Sequence, residues 1–325
     1  MTDATEALAA GIPDDVPGGV TGSPGEPVTR CGYVTIAGRP NAGKSTLLNA
    51  LVGEKLSIVS PRAQTTWERV TGIRTAGGVQ MIFLDTPGLL DARDLHQKSM
   101  RAAAHEALKE ADVVLFVVDA SREREEVISE PVVEALAETR APVVVALNKI
   151  DTVDAGFVQR HAQWFQARLG AVPIPVSATR GEGLDALVRA LEEALPEGPF
   201  LYPEEDLALQ SVRFFVAELV RETVFEQFED EIPYAVATRV EEFREDQDPL
   251  YISVVVHVER ESQKGIVVGK GGHAIRRLGM ASRRKIETFL GRPVYLDLWV
   301  KPLKGWRRKR HHLQRLGYRV PDEEP

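Results

Sequence analysis

The eight residues Gly38, Arg39, Pro40, Asn41, Ala42, Gly43, Lys44 and Ser45 match the spacing G-x-x-x-x-G-K-[ST]. They follow a short apolar run, Tyr33 to Ala37, and precede Thr46 to Leu51, which reads as a helix. Strand, glycine-bounded loop and helix form the setting in which this spacing cradles phosphate. The glycines let successive backbone N–H groups turn inward, and the helix N-terminus adds positive potential. Lys44 then reaches the β- and γ-phosphates, and the Ser45 hydroxyl sits on a magnesium ion. An ordinary glycine turn with a chance lysine is the bland alternative, and the flanking elements weigh against it.

The elements around this loop read as an α/β unit. Val70 to Thr75 and Val79 to Leu84 are strands joined by a Gly77-Gly78 turn, and the second ends in Asp85-Thr86-Pro87-Gly88. A carboxylate at a strand's C-terminal end can hold magnesium through water, and the N–H of Gly88 can sense a γ-phosphate. Taken alone, D-x-P-G is a common turn. An amphipathic helix (98–110), a buried strand (113–118), a second helix (129–139) and a strand (143–147) follow. Continuous apolar strands alternating with amphipathic helices imply a doubly wound, mostly parallel sheet, whose ligands bind beyond the carboxyl ends of the strands.

The strand ending at Leu147 runs into Asn148-Lys149-Ile150-Asp151. The Asp151 carboxylate can accept from guanine N1–H and its 2-amino group, a donor pair that adenine lacks. A last strand (172–176) ends in Ser177-Ala178-Thr179, where the Ala178 N–H can face guanine O6, and a helix (184–195) closes the unit. With Asn148, Lys149, Asp151, Ser177, Ala178 and Thr179 at the base and residues 38–46 and 85–88 at the phosphates, the sequence resembles the translation-factor class of GTPases. A metabolic P-loop kinase or ATPase with an accessory domain is the rival that Asn148 to Asp151 argues against.

Composition bounds the rest. The 325 residues suffice for two domains, and the charged and apolar fractions are those of a globular protein. A single cysteine, Cys31, excludes an internal disulfide, points to a reducing compartment and reads as a small buried side chain. No apolar run approaches the ~20 residues that span a bilayer. Residues 1–29 read as a disordered tail without a secretory signal. The net charge is −8, yet residues 260–319 hold 17 Lys and Arg against 3 acidic residues. That polarity places a polyanion partner at the basic end.

After Pro196 to Pro199 and a linker (198–206), a helix (207–228), two strands (235–243 and 251–258), a glycine loop, a basic helix and a strand (294–300) are expected. The loop is Gly269-Lys270-Gly271-Gly272, and this order resembles a type II KH domain of α+β architecture. That resemblance implies glycines that admit a nucleic-acid backbone, with about four nucleotides bound per loop. It assigns RNA contacts to Gly269, Lys270, Gly271, Gly272, Arg276, Arg277, Arg283, Arg284 and Lys285. Alone, G-x-x-G is also an ordinary turn. The segment 301–312, with Trp306 among basic residues, is expected to clamp phosphate or stack a base; a solvated tail is the plain alternative. His311 and His312 belong to that basic run rather than to a metal site.

A GTPase domain (30–197), a linker, a KH domain (207–305) and a basic tail (306–325), in that order, resemble the bacterial Era family from about Cys31 to Tyr318. Trp67 departs from the arginine usual after the paired threonines, and Ala42 replaces a commoner valine. The resemblance implies a slow GTPase with GTP or GDP as ligand and Mg²⁺ held by Ser45, Thr65 or Thr66, and Asp85. Leu89 stands where Ras-like proteins carry the water-orienting glutamine, and Asn41 is a candidate ligand for K⁺. Implied partners are the 3′ end of 16S ribosomal RNA and the 30S subunit, in whose maturation the protein would act. It would be a cytoplasmic monomer with peripheral association to the inner face of the cell membrane. A regulatory GTPase whose basic end binds anionic lipid instead of RNA is the second rival.

Overall fold

The computed structural model describes residues 28–60, 62, 65–88, 94–122, 139–169 and 171–320. The first sheet comprises β1 (Arg30–Ala37), β2 (Val70–Ala76), β3 (Val79–Asp85), β4 (Val113–Asp119), β5 (Val143–Asn148) and β6 (Ile174–Pro175). Their spatial order is β2-β3-β1-β4-β5-β6, with β2 antiparallel to β3 and the other pairs parallel. β4 shows why it lies in the middle. All seven of its residues are buried, and they alternate between the two faces. Val113, Leu115 and Val117 meet α1 (Lys44–Val52) and α4 (Leu184–Ala194). Val114, Phe116 and Val118 meet α2 (Leu95–Glu110) and α3 (Ala155–Leu169). A strand buried on both faces requires a continuous apolar run, which is what the sequence supplies.

β6 keeps only two of the five residues expected, because Pro173 and Pro175 have no N–H for the ladder. The helix expected at residues 129–139 lies almost wholly outside the described residues.

The second sheet holds β7 (Val236–Arg244), β8 (Leu250–Val258) and β9 (Val294–Pro302) in the order β7-β8-β9. β8 is antiparallel to β7 and parallel to β9, the crossover being α6 (Glu261–Val268) and α7 (His273–Leu290). Alternate β8 residues Ile252, Val254 and Val256 form one core with Val220 and Val224 of α5 (Val212–Gln227) and with Leu278 and Ile286 of α7.

α5 starts at Val212 rather than 207. Ser211 caps it by accepting from the Phe214 N–H, and residues 207–210 are spent on the edge of β2. There Ile73 N–H donates to Leu207 O at 2.8 Å, and Gln210 accepts from Thr71 N–H. The Gln80 amide likewise bonds Leu201 and Tyr202. The connection between the two sheets is therefore hydrogen-bonded to the first one along its length.

The segment after β9 folds as well. Residues 306–308 form a short turn of helix and Arg310–Leu316 form α8. Trp306, expected to face nucleic acid, is instead fully buried and donates its indole N–H to Ala235 O at 3.0 Å.

Candidate nucleotide site and nucleic-acid interface

The loops beyond β1, β3, β4 and β5 meet in a cavity of about 640 Å³ lined by Pro40, Lys44, Thr46, Thr66, Gly88 and Lys149. The loop after β1 turns on Gly43 at φ 92°, where a Cβ would lie 2.3 Å from Asn148 Nδ2. Lys44 folds over the loop and donates to the carbonyls of Gly38 and Arg39 at 3.2 and 3.1 Å. Burial lowers its amine to about 8, against the pull of Asp85. A phosphate is the counter-charge that such a lysine lacks.

Three oxygens converge beside it. Ser45 Oγ donates to Asp85 Oδ2 at 2.8 Å and lies 2.9 Å from Thr66 Oγ1, which itself donates to Asp85 at 3.3 Å. Burial raises the Asp85 carboxyl, opposed by Lys44 and by these hydroxyls. Its second oxygen, Oδ1, is buried without a hydrogen-bond partner among the described residues. Hydroxyl, hydroxyl and carboxylate around one point, with an orphaned carboxylate oxygen, fit a magnesium ion. Of the paired threonines, Thr66 supplies its hydroxyl here. Thr65 lines the cavity and gives its backbone carbonyl to Arg221.

At the base end, Asn148 is a staple. Its Nδ2 donates to Ala42 O at 3.0 Å and its Oδ1 accepts from the Ala178 N–H at 3.1 Å, joining the phosphate loop to the loop after β6. The Ala178 amide expected to face guanine O6 is thus already satisfied in this structure. Asp151 is oriented by Ser177 Oγ at 2.7 Å, which itself lies 3.2 Å from Thr179 Oγ1. Asn41, at φ 65°, offers its carbonyl to Lys149 Nζ at 2.6 Å.

Asp119, at the end of β4, was not singled out by sequence reasoning. Its Oδ2 accepts from Lys149 Nζ at 2.6 Å and its Oδ1 from Ser121. Burial raises this carboxyl, but the bonds from Lys149 and Ser121 outweigh it and hold it below its ordinary value. The signal was its place at the carboxyl end of a buried strand, where every other motif also sits. Leu89 lies outside the described residues.

In the second unit the loop 269–272 leaves α6 and enters α7, with positive φ at Gly269, Gly271 and Gly272. At Gly271 (φ 59°) a Cβ would meet nothing within 3.7 Å, so backbone conformation rather than crowding favours glycine there. Lys270, Arg276 and Arg284 are exposed, and among the described residues no salt bridge engages them. The other three basic residues expected at RNA are occupied. Arg277 pairs with Gln227 and Arg283 with Glu287. Lys285, expected at RNA, turns back to Glu222 at 2.8 Å and Glu226 at 2.6 Å on α5. Ile266 and Met280, 50% and 60% exposed on the two helices flanking the loop, were missed. Their breaking of the amphipathic pattern was the available clue. The described residues contain no group of His, Cys, Asp or Glu that could itself hold a metal, His311 and His312 included. Among them no helix is long and apolar enough to cross a membrane.

The fold and the two loop constellations define a P-loop GTPase carrying a KH domain. Residues 33–149 match the family model described as 50S ribosome-binding GTPase, and residues 231–307 match that of the KH domain. The chain is 42% identical to GTPase Era of Halothermothrix orenii over 291 residues, 89% of this chain and 99% of the relative. It is 43% identical to GTPase Era of Azotobacter vinelandii over 293 residues, 89% and 97% of the two chains. Among solved structures it superposes on Aquifex aeolicus Era Y63A bound to GDP·AlF4⁻ with a TM-score of 0.82, at 37% identity over 90% of this chain and all of that one. An Era complex with MgGDPNP and nucleotides 1506–1542 of 16S ribosomal RNA gives 0.83, at the same identity and coverage. The chain belongs to the GTPase Era family.

Proposed function

We propose that this chain is a GTP-operated switch that binds the 3′ end of 16S ribosomal RNA and acts in maturation of the 30S subunit in the cytoplasm. The carrying observation is the presence on one chain of a complete nucleotide constellation and an open glycine loop followed by a helix that carries exposed cations outside any salt bridge. The Era relative of 37% identity, solved with both MgGDPNP and 16S nucleotides, supports the pairing.

In this reading the amides of residues 38–46 and Lys44 hold the β- and γ-phosphates, and Asp151 reads guanine. Ser45 and Thr66 ligate magnesium, and Asp85 faces the same ion. Thr66 and Gly88 contact the γ-phosphate side and relax once it leaves. Magnesium supplies charge neutralisation at the transferring phosphate. With leucine at position 89 the intrinsic turnover is slow. Lys270, Arg276 and Arg284 face RNA phosphates while the glycines admit the backbone. Residues 30–197 form the GTPase domain, 198–206 the linker and 207–305 the RNA-binding domain.

The test is binding of a short single strand from the 3′ end of 16S RNA by wild type and Gly271→Asp, each with a GTP analogue and with GDP. Tight binding, stronger with the analogue and lost in the variant, is expected. Nucleotide-blind binding that survives the substitution, with equal affinity for anionic vesicles, would reduce the C-terminal unit to a polyanion anchor at the membrane surface.

A further inference from the structure

The segment between α1 and β2 has no regular structure where it is described; Asn49 of α1 holds its start by accepting from the Leu56 and Ser57 N–H groups, and further fixed points come from the other unit. Near its start, the Val59 N–H donates to Glu222 Oε1 at 3.2 Å. Glu222 is itself buried and receives Lys55 and Lys285 on its other oxygen. In the middle, the Arg62 side chain donates to the Phe228 carbonyl at the end of α5. Near its end, Arg221 Nη2 donates to Thr65 O at 2.6 Å, and the same guanidinium lies 4.4 Å from the Trp67 ring centroid. Arg221 is 2% exposed, and Glu218 orients it through Nε at 2.8 Å.

Thr66 stands between these two held neighbours, with its hydroxyl at Ser45 and Asp85. Its backbone cannot move toward or away from the phosphate loop without stretching the Thr65 bond or dislodging Trp67 from its buried cluster. The guanidinium fork suits this task because it can bond a carbonyl, bond a carboxylate and cover a ring at once.

We infer that Arg221, on the first helix of the KH domain, is a positioning residue for the nucleotide site. It fixes Thr66 at the magnesium position through the Thr65 carbonyl and the Trp67 ring. This rests on the switch reading above and names its internal route. α5 also packs into the core of the second unit, so a displacement of α5 reaches Thr66 through this side chain.

The experiment follows release of a fluorescent GTP analogue and of fluorescent GDP from the full chain across a magnesium titration. It uses wild type, Arg221→Lys, Arg221→Gln and Trp67→Phe, with melting curves to confirm folding. In the switch reading Thr66 meets magnesium only beside a γ-phosphate, so Arg221→Gln is expected to raise the magnesium needed to retain the analogue about tenfold, as for loss of one charge-assisted bond. GDP retention should stay at the wild-type value. Arg221→Lys, which restores one donor without the fork, should fall between, and Trp67→Phe should shift in the same direction by less. Should Arg221→Gln fail to fold, Trp67→Phe and Arg221→Lys carry the comparison. Equal changes for analogue and GDP, or an unchanged magnesium requirement in the folded variants, would overturn the inference. Were wild type itself to retain analogue and GDP with the same magnesium dependence, the switch reading would fail rather than this role of Arg221.

Discussion

Trp67 and Trp306 lie with ring centroids 5.8 Å apart and planes tilted by 39°. One belongs to the segment that supplies Thr66, the other to the turn that follows β9. His96, at the start of α2, sits edge-on to both rings, at 4.8 and 5.1 Å, and Tyr318 stacks on Trp306. Arg307 adds an ion pair to Asp94 at 2.6 Å. The basic C-terminal segment is therefore a wedge between the two units, and its aromatic residues are structural.

Trp306→Ala should accordingly cost stability rather than RNA contacts. Truncating a fully buried tryptophan removes about 3–5 kcal/mol. The expected result is a large fall in the midpoint of denaturant unfolding. Residual folded protein should bind short single-stranded RNA with unchanged salt dependence. A normal midpoint with weakened RNA binding would return the ring to the nucleic-acid surface.

Asp151→Asn should exchange the base preference. The carboxylate is the group that accepts both guanine donors, and the amide presents a donor in place of one acceptor. Sites built on such bonds discriminate by about 10⁴-fold, so GTP affinity should fall by that order while xanthosine triphosphate gains. Competition between the two nucleotides for the wild-type and variant proteins measures it. An unchanged preference would remove Asp151 from the base site.

What the sequence revealed follows from how local each signal is. The phosphate loop, Asp85 to Gly88 and Asn148 to Asp151 are contiguous, and each sits where a buried strand ends, so both identity and placement could be read. Buried strands such as β4 were legible because an uninterrupted apolar run has few other uses. Trp306 was misplaced because a tryptophan among arginines looks the same whether it stacks on a base or on Tyr318; only the tertiary partner decides. Lys285 was misassigned for the same reason, since its partners Glu222 and Glu226 lie some sixty positions away in the chain. The start of α5 was set too early because residues 207–210, apolar enough for a helix, are drawn to the unpaired edge of β2. The choice between Thr65 and Thr66 depends on a single backbone turn that no pattern of residue types encodes.

Nucleotide binding should take up a proton around pH 8. Burial holds the free-state amine of Lys44 near 8. It is largely charged below that value and largely neutral above it, while a bound phosphate restores the charge. GDP affinity should therefore weaken as pH rises through about 8. Calorimetry in buffers of different ionisation enthalpy should show net proton uptake there and little at pH 6. A flat affinity from pH 7 to 9 would contradict it.

The last expectation concerns Glu68, beside Trp67. Burial and the neighbouring Glu218 push its carboxyl up to about 7, with Arg221 opposing. An acid whose folded pKa is raised binds its proton more tightly in the folded than in the unfolded state. Its contribution is thus fully present below the unfolded value near 4.5 and is lost as pH rises through about 7. At 1.36 kcal/mol per unit, the loss is on the order of 3 kcal/mol. Glu68→Gln keeps the shape of the protonated acid and cannot ionise. Its melting temperature should match wild type near pH 4 and exceed it at pH 8, flattening the decline between. The same difference between the two proteins at both pH values would show that Glu68 ionises freely and that the junction beside Trp67 is open to water.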